Sequence, residues 1–139
     1  MSMNKNTEGE LGIDEAFISE LVDEFYTRIR GNERLGPIFN SAIRDWGAHL
    51  PRMKRFWSSV ILRTGSYSGQ PVPVHQRLSG VEPNDFEHWL ALFRKTLDDI
   101  APTEAVVQLF MGKAQRIAMS LKLAMFGSRG QLVSRLPIV

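Results

Sequence analysis

Cysteine is absent from this 139-residue chain. Disulfides, thiolate zinc sites and a cysteine nucleophile are excluded, and nothing calls for an oxidising compartment. A cytoplasmic setting is the expectation. Histidine is scarce, with three residues, and tyrosine scarcer, with two. No apolar run approaches the roughly 20 residues that span a bilayer. The opening MSMNKNTEGE is polar and does not read as a secretory signal. Charge of one sign is also lacking: 17 Lys and Arg stand against 15 Asp and Glu, a net charge of +2. The pI is near 9.2, but the basic residues are dispersed and form no block. Dispersal speaks for a solvated surface and against a nucleic-acid-binding face. Neither nucleic acid nor a membrane is expected as a partner. Common catalytic motifs are missing as well: there is no phosphate-cradling glycine loop, no GxSxG and no HExxH.

What the chain does have is helical periodicity. A length of 139 residues suggests one domain able to bury about two thirds of its unfolded surface. In GIDEAFISELVDEFYTRIRGN, residues Phe17, Ile18, Leu21, Val22, Phe25 and Ile29 share one helical face, with Asp14 as N-cap and Gly31 as stop. LGPIF predicts a turn or two of helix, with Leu35, Ile38 and Phe39 around Gly36 and Pro37. A second long helix is predicted over about 50–62, carrying Leu50, Met53, Phe56, Trp57, Val60 and Ile61 on one face. Pro51 fits the first turn of a helix, so the start is placed near His49 or Leu50, with Asp45 and Trp46 on the approach. Residues 64–84 hold most of the glycine and proline, and such long connections are often functional. A helical turn over 75–78 is compatible with them.

A third helix is predicted after Pro83, capped by Asn84 or Asp85, with a stripe of Phe86, Trp89, Leu90, Phe93, Leu97 and Ile100. The fourth runs from Thr103 to Phe126, with Val106, Val107, Phe110, Ala114, Ile117, Leu121 and Met125 inward and Gly127 as stop. No strand alternation is present. The fold class is all-α, with a polar extension over 1–13, a helical domain over 14–126 and a tail over 127–139.

The histidines narrow the chemistry. His88 lies opposite the apolar stripe of its helix and is expected at the surface. His75 follows the stretch GQPVPV and is flanked by Val74 and Leu78. It reads either as a metal ligand or as a hydrogen-bonded structural histidine. With His49 it makes at most two protein ligands, too few for a structural zinc site. Haem needs only one or two, because the porphyrin supplies the other four. Met53, Phe56 and Trp57 on one helix and Phe86, Trp89, Leu90 and Phe93 on another read as one wall each of an apolar slot, or simply as core. Tyr26 sits at the edge of the first apolar stripe and Trp89 within another, and each brings a polar tip that needs a partner.

FYTRIR, LGPIF, DWGAHLPRMKRFWSSVIL, GSYSGQPVPVHQRL and FEHWLALFRKTL occur in this order and spacing. As a set, spanning about 14–126, they resemble the truncated haemoglobins, specifically their third group. The glycine–glycine pairs of the first two groups are missing, as the third group implies. The resemblance implies a two-over-two helical sandwich around haem b (iron protoporphyrin IX). It implies His75 as the proximal iron ligand after a hinge of Gly69, Pro71 and Pro73. It further implies Tyr26, His49 and Trp89 at the distal ligand position, and Phe56 and Trp57 against the haem. Met53, Leu78 and Phe93 complete the expected cofactor contacts, and Arg52 and Arg77 are propionate candidates by position and charge. The implied function is reversible binding of O2 and other diatomic ligands such as NO. The alternative is a redox enzyme that detoxifies NO, as an NO dioxygenase, or peroxide, with an external reductase.

Overall fold

A computed structural model describes residues 12–67, 69, 75, 78 and 80–127. The extension expected over 1–13 falls largely outside the described residues, as do Pro71, Pro73, Val74, Arg77 and all of the tail but Gly127. Ile13, which is described, is buried in the core.

Helix α1 spans Glu15–Gly31. The Asp14 carboxylate accepts from the Phe17 N–H at 2.9 Å, which satisfies one orphan donor of the first turn. All six residues of the expected apolar stripe are buried, and so is Tyr26. Helix α2, Leu35–Ala42, follows at once. The Asn32 side chain caps it by accepting from the Arg34 and Leu35 N–H groups at 3.0 and 2.9 Å. Gly36 is required there: a Cβ would come within 2.8 Å of the Arg30 carbonyl oxygen.

Helix α3 corrects the expected boundary. It spans Trp46–Trp57, with Asp45 as N-cap accepting from the Ala48 N–H at 3.2 Å. Pro51 therefore lies inside the helix rather than in its first turn. The helix tolerates it because Pro51 and Gly47, four residues earlier, are both exposed, so water can serve the carbonyl that proline leaves unpaired. The chain then widens into a π-helical turn, Ser58–Leu62, and leaves through Arg63 in the left-handed region at φ 61°.

Helix α4, Asp85–Ile100, starts where expected, although the Asn84 side chain makes no capping bond. Helix α5, Glu104–Lys122, is capped by Thr103, which accepts from the Val106 N–H, and closes in a π turn, Leu123–Gly127. Among the described residues no strand occurs and no helix is long and apolar enough to cross a membrane.

The helices form an all-α two-over-two sandwich. Helix α1 packs on α3 and α2 and lies across α4, which pairs with α5. Phe25, Phe93 and Phe110 fill the centre with no more than 1% of their surface exposed. Each contributes about 2–3 kcal/mol of apolar burial. Phe93 stacks between Trp57 (5.2 Å between centroids, 19° between planes) and Trp89 (5.4 Å, 10°), so one aromatic column joins α3 to α4. Two of the buried polar side chains, Ser58 and Thr96, are partnered. Ser58 donates to Glu15 at 2.7 Å and lies 2.9 Å from the Thr64 hydroxyl, and Thr96 donates back to the Leu92 carbonyl at 2.8 Å.

Candidate functional site

The column of rings forms one shoulder of a cavity of about 400 Å³. Every helix contributes to its wall: Tyr26 from α1, Leu35 and Phe39 from α2, His49, Arg52, Met53, Phe56 and Trp57 from α3, Phe86 and Trp89 from α4, and Ile117 and Leu121 from α5. The connection between α3 and α4 adds Tyr67, His75, Leu78 and Val81. The walls are mostly apolar, as cofactor sites are, and the volume lies in the usual range of roughly 300–1,000 Å³.

The three polar candidates Tyr26, His49 and Trp89 come together on this surface. With α3 beginning at Trp46, His49 is drawn into the first helical turn, where its N–H bonds to the Asp45 carbonyl at 3.0 Å. Its ring meets Tyr26 edge to face at 5.3 Å and Trp46 at 5.5 Å. Trp46 is in turn covered by the Arg30 guanidinium, 4.6 Å from the ring centroid. The imidazole is thus held from two sides, yet its Nε2 is buried with no hydrogen-bond partner among the described residues. Burial, helped by the charges of Arg52 and His75, pulls the His49 pKa down to about 4, so the ring is neutral at pH 7. Tyr26 is 6% exposed, and burial pushes its phenol well above the usual range, so it stays a neutral O–H donor. Trp89 adds one N–H and is braced by Phe25, which meets it edge-on at 5.3 Å.

His75 reaches the same cavity from the connection. The Leu78 N–H bonds to its carbonyl at 3.1 Å, as a turn expected there would have it. His88 is exposed, 3.2 Å from the Asn84 amide, and takes no part. Of the other expected cofactor contacts, Met53, Phe56, Trp57, Leu78 and Arg52 line the cavity. Phe93 does not; it stands behind Trp57 and Trp89 as the filling of their stack. Arg77 lies outside the described residues.

Tyr67 and Asp85 are among the lining residues that the sequence does not mark as part of the site. Tyr67 packs edge-on to Phe56 at 5.1 Å, fixed by its N–H bond to the Ser59 hydroxyl at 2.9 Å. Its one signal was an aromatic residue set among the small residues of GSYSG. Asp85 lines the cavity from the first position of α4 and is 5% exposed. It carries a bidentate pair with Arg34, at 2.6 and 2.7 Å.

No group of three or more acidic or histidine side chains able to hold a metal ion occurs among the described residues. No family model matches the chain. The chain is 36% identical over 110 residues to Group 3 truncated hemoglobin ctb of Campylobacter jejuni, covering 76% of this chain and 86% of that one. Its structure is similar to the crystal structure of a group III truncated haemoglobin from Campylobacter jejuni, with a TM-score of 0.78 and 32% identity over 86% of this chain and 96% of the other. The truncated-globin sandwich, the order of its motifs and this degree of identity agree: the chain belongs to the group III truncated haemoglobin family.

Proposed function

We propose that the protein is a haem b protein that reversibly binds O2, and other diatomic ligands at the same position, with His75 as the proximal iron ligand. One observation carries this reading. A largely apolar cavity of about 400 Å³ takes one histidine from the α3–α4 connection and, from α1, α3 and α4, a trio of polar tips that includes the Nε2 of His49, buried with no partner among the described residues. An unsatisfied buried polar atom costs free energy unless a ligand completes it. The donor set fits haem, since the porphyrin would bring most of the iron's ligands and His75 would hold the iron. Bound haem would supply an iron able to change oxidation state and to take a diatomic ligand.

The chain's own residues do the rest. Met53, Phe56, Trp57 and Leu78 exclude water from the ring faces. Arg52, exposed at the cavity wall, suits a propionate carboxylate. Tyr26 and Trp89 direct neutral donors, and His49 a neutral imidazole, toward an electron-rich ligand. Each hydrogen bond to such a ligand is worth about 1.5–3 kcal/mol, enough to slow its escape by roughly tenfold to a hundredfold.

The same donors favour a second reading. Groups that hold O2 tightly suit its consumption: NO and O2 with one electron from an external reductase give nitrate, and peroxide is a further candidate substrate. Stopped-flow mixing of the reduced, hemin-loaded protein with O2 tests the main reading. A reversible spectral change with slow release supports it, and immediate irreversible oxidation sinks it. Fast, sustained NO consumption with an electron donor favours the enzyme.

A further inference from the structure

The residues on each side of the His75 turn are tied down by different means. On the α3 side, Thr64 and Tyr67 are held by hydroxyls of the π turn, Ser58 and Ser59. On the α4 side, one arginine reaches three residues of the segment. Arg34 Nε and Nη2 grip both oxygens of the Asp85 carboxylate at 2.6 and 2.7 Å. The Arg34 Nη2 also donates to the Gly80 carbonyl at 3.0 Å, and lies 3.8 Å from the Glu82 carboxylate. Asp85 in turn accepts from the Glu82 N–H at 2.8 Å. Arg34 immediately precedes α2, whose Leu35 and Phe39 line the cavity. The segment 80–85 is therefore fastened to α2 through a carboxylate that is itself buried at the cavity wall.

We propose that Arg34 and Asp85 form a positioning pair that fixes the segment following His75 and Leu78, and so sets the placement of the His75 imidazole. This rests on the reading of His75 as the iron ligand. A bidentate arginine–carboxylate fork fixes direction as well as distance. The geometry ties the chain within five residues of His75 to a helix on another wall of the cavity. Neither residue need touch the cofactor; the pair acts through the backbone at Gly80 and Glu82.

The test compares hemin loss to a competing acceptor protein, together with the ferrous iron–histidine stretching band, in the full chain. Removing partners outside the first ligand sphere typically weakens a metal site tenfold to a hundredfold. Arg34→Ala and Asp85→Ala are each expected to speed hemin loss by about tenfold and to shift or broaden the band. The double variant should be no worse than either single one. Arg34→Ala leaves a buried carboxylate unpaired and can cost folding, so the paired replacement R34M/D85L is the decisive variant. Arg34 is exposed and Asp85 buried, so replacing both by apolar residues leaves no buried carboxylate without its partner. R34M/D85L should melt near the wild type yet still lose hemin faster with a shifted band. Leu97→Ala, a core change remote from the pair, controls for general destabilisation. The inference is overturned if R34M/D85L matches the wild type in both readouts, or if Leu97→Ala reproduces both effects. If the wild-type chain itself takes up no hemin, the haem reading fails first.

Discussion

The imidazole of His49 stands edge-on to the phenol ring of Tyr26, with centroids 5.3 Å apart and planes at 86°. The ring contact leaves the His49 Nε2 buried with no hydrogen-bond partner among the described residues. A neutral imidazole nitrogen is thereby kept in a low-dielectric wall. Trp46 completes the arrangement, within 5.8 Å of Tyr26 and 5.5 Å of His49.

Removing the hydroxyl tests the donor role. Tyr26→Phe keeps the ring and its contacts with Phe25, Phe39 and Trp46. Hemin uptake should be unchanged, while O2 release after rapid mixing should speed by about tenfold or more, the worth of one hydrogen bond to a charged or strongly polarised acceptor. An unchanged release rate removes Tyr26 from the ligand site.

Acid should find His49 before it finds the carboxylates. Burial holds its folded-state pKa near 4 against an ordinary 6.5. Between those values the unfolded chain binds the proton and the folded chain does not, so stability declines as pH falls from about 6.5 to about 4. The ring is only partly shielded, and with solvent screening the loss is on the order of 1 kcal/mol. Asp85 and Asp99, held below 3.8 chiefly by hydrogen bonds from Arg34 and Arg28, contribute only at lower pH. Urea unfolding of the hemin-free protein at pH 7, 5.5 and 4.5 should show the decline, and His49→Gln should flatten it. An identical slope in the variant would assign the acid sensitivity elsewhere.

Gly36→Ala pits propensity against packing. Alanine gains up to about 1 kcal/mol of helix propensity over glycine. Its Cβ, however, would meet backbone oxygens of Arg30 and Ile29 at 2.8 and 3.2 Å, and backbone cannot swing away as a side chain can. Overpacking of this kind costs about 1–3 kcal/mol. A net loss of about 1–2 kcal/mol is expected from the urea midpoint, and a stabilised variant would mean that α1 and α2 separate easily.

Much of this architecture is written in local sequence. Asp14 acts as the cap it looks like, and the apolar stripe of α1 is buried where a 3.6-residue period puts it, as are Val106, Val107, Phe110, Ala114 and Leu121 of α5, while Ile117 and Met125 are half-buried at the cavity. The start of α3 differs from the expected one because two local rules conflict there. Pro51 argues for a start at His49 or Leu50, whereas Asp45 offers a capping carboxylate, and the cap prevails because Gly47 and Pro51 both face water. Arg34 and Asp85 were not legible as a pair, since 51 residues separate them and only the packing of α2 beside α4 brings them together. Phe93 reads as a cavity wall from its stripe. Periodicity gives the inward face of a helix but not which layer of that face a ligand meets, and Phe93 lies one layer behind.

The most direct test of the account is a titration of the purified chain with hemin, followed by its absorption spectrum, beside the same titration of His75→Ala. The wild type should take up one equivalent and develop a sharp Soret band. The variant should bind weakly or show a displaced band that added imidazole restores. A wild-type chain that takes up no hemin, or a His75→Ala variant whose spectrum and affinity match the wild type, would contradict the assignment of His75 as the iron ligand.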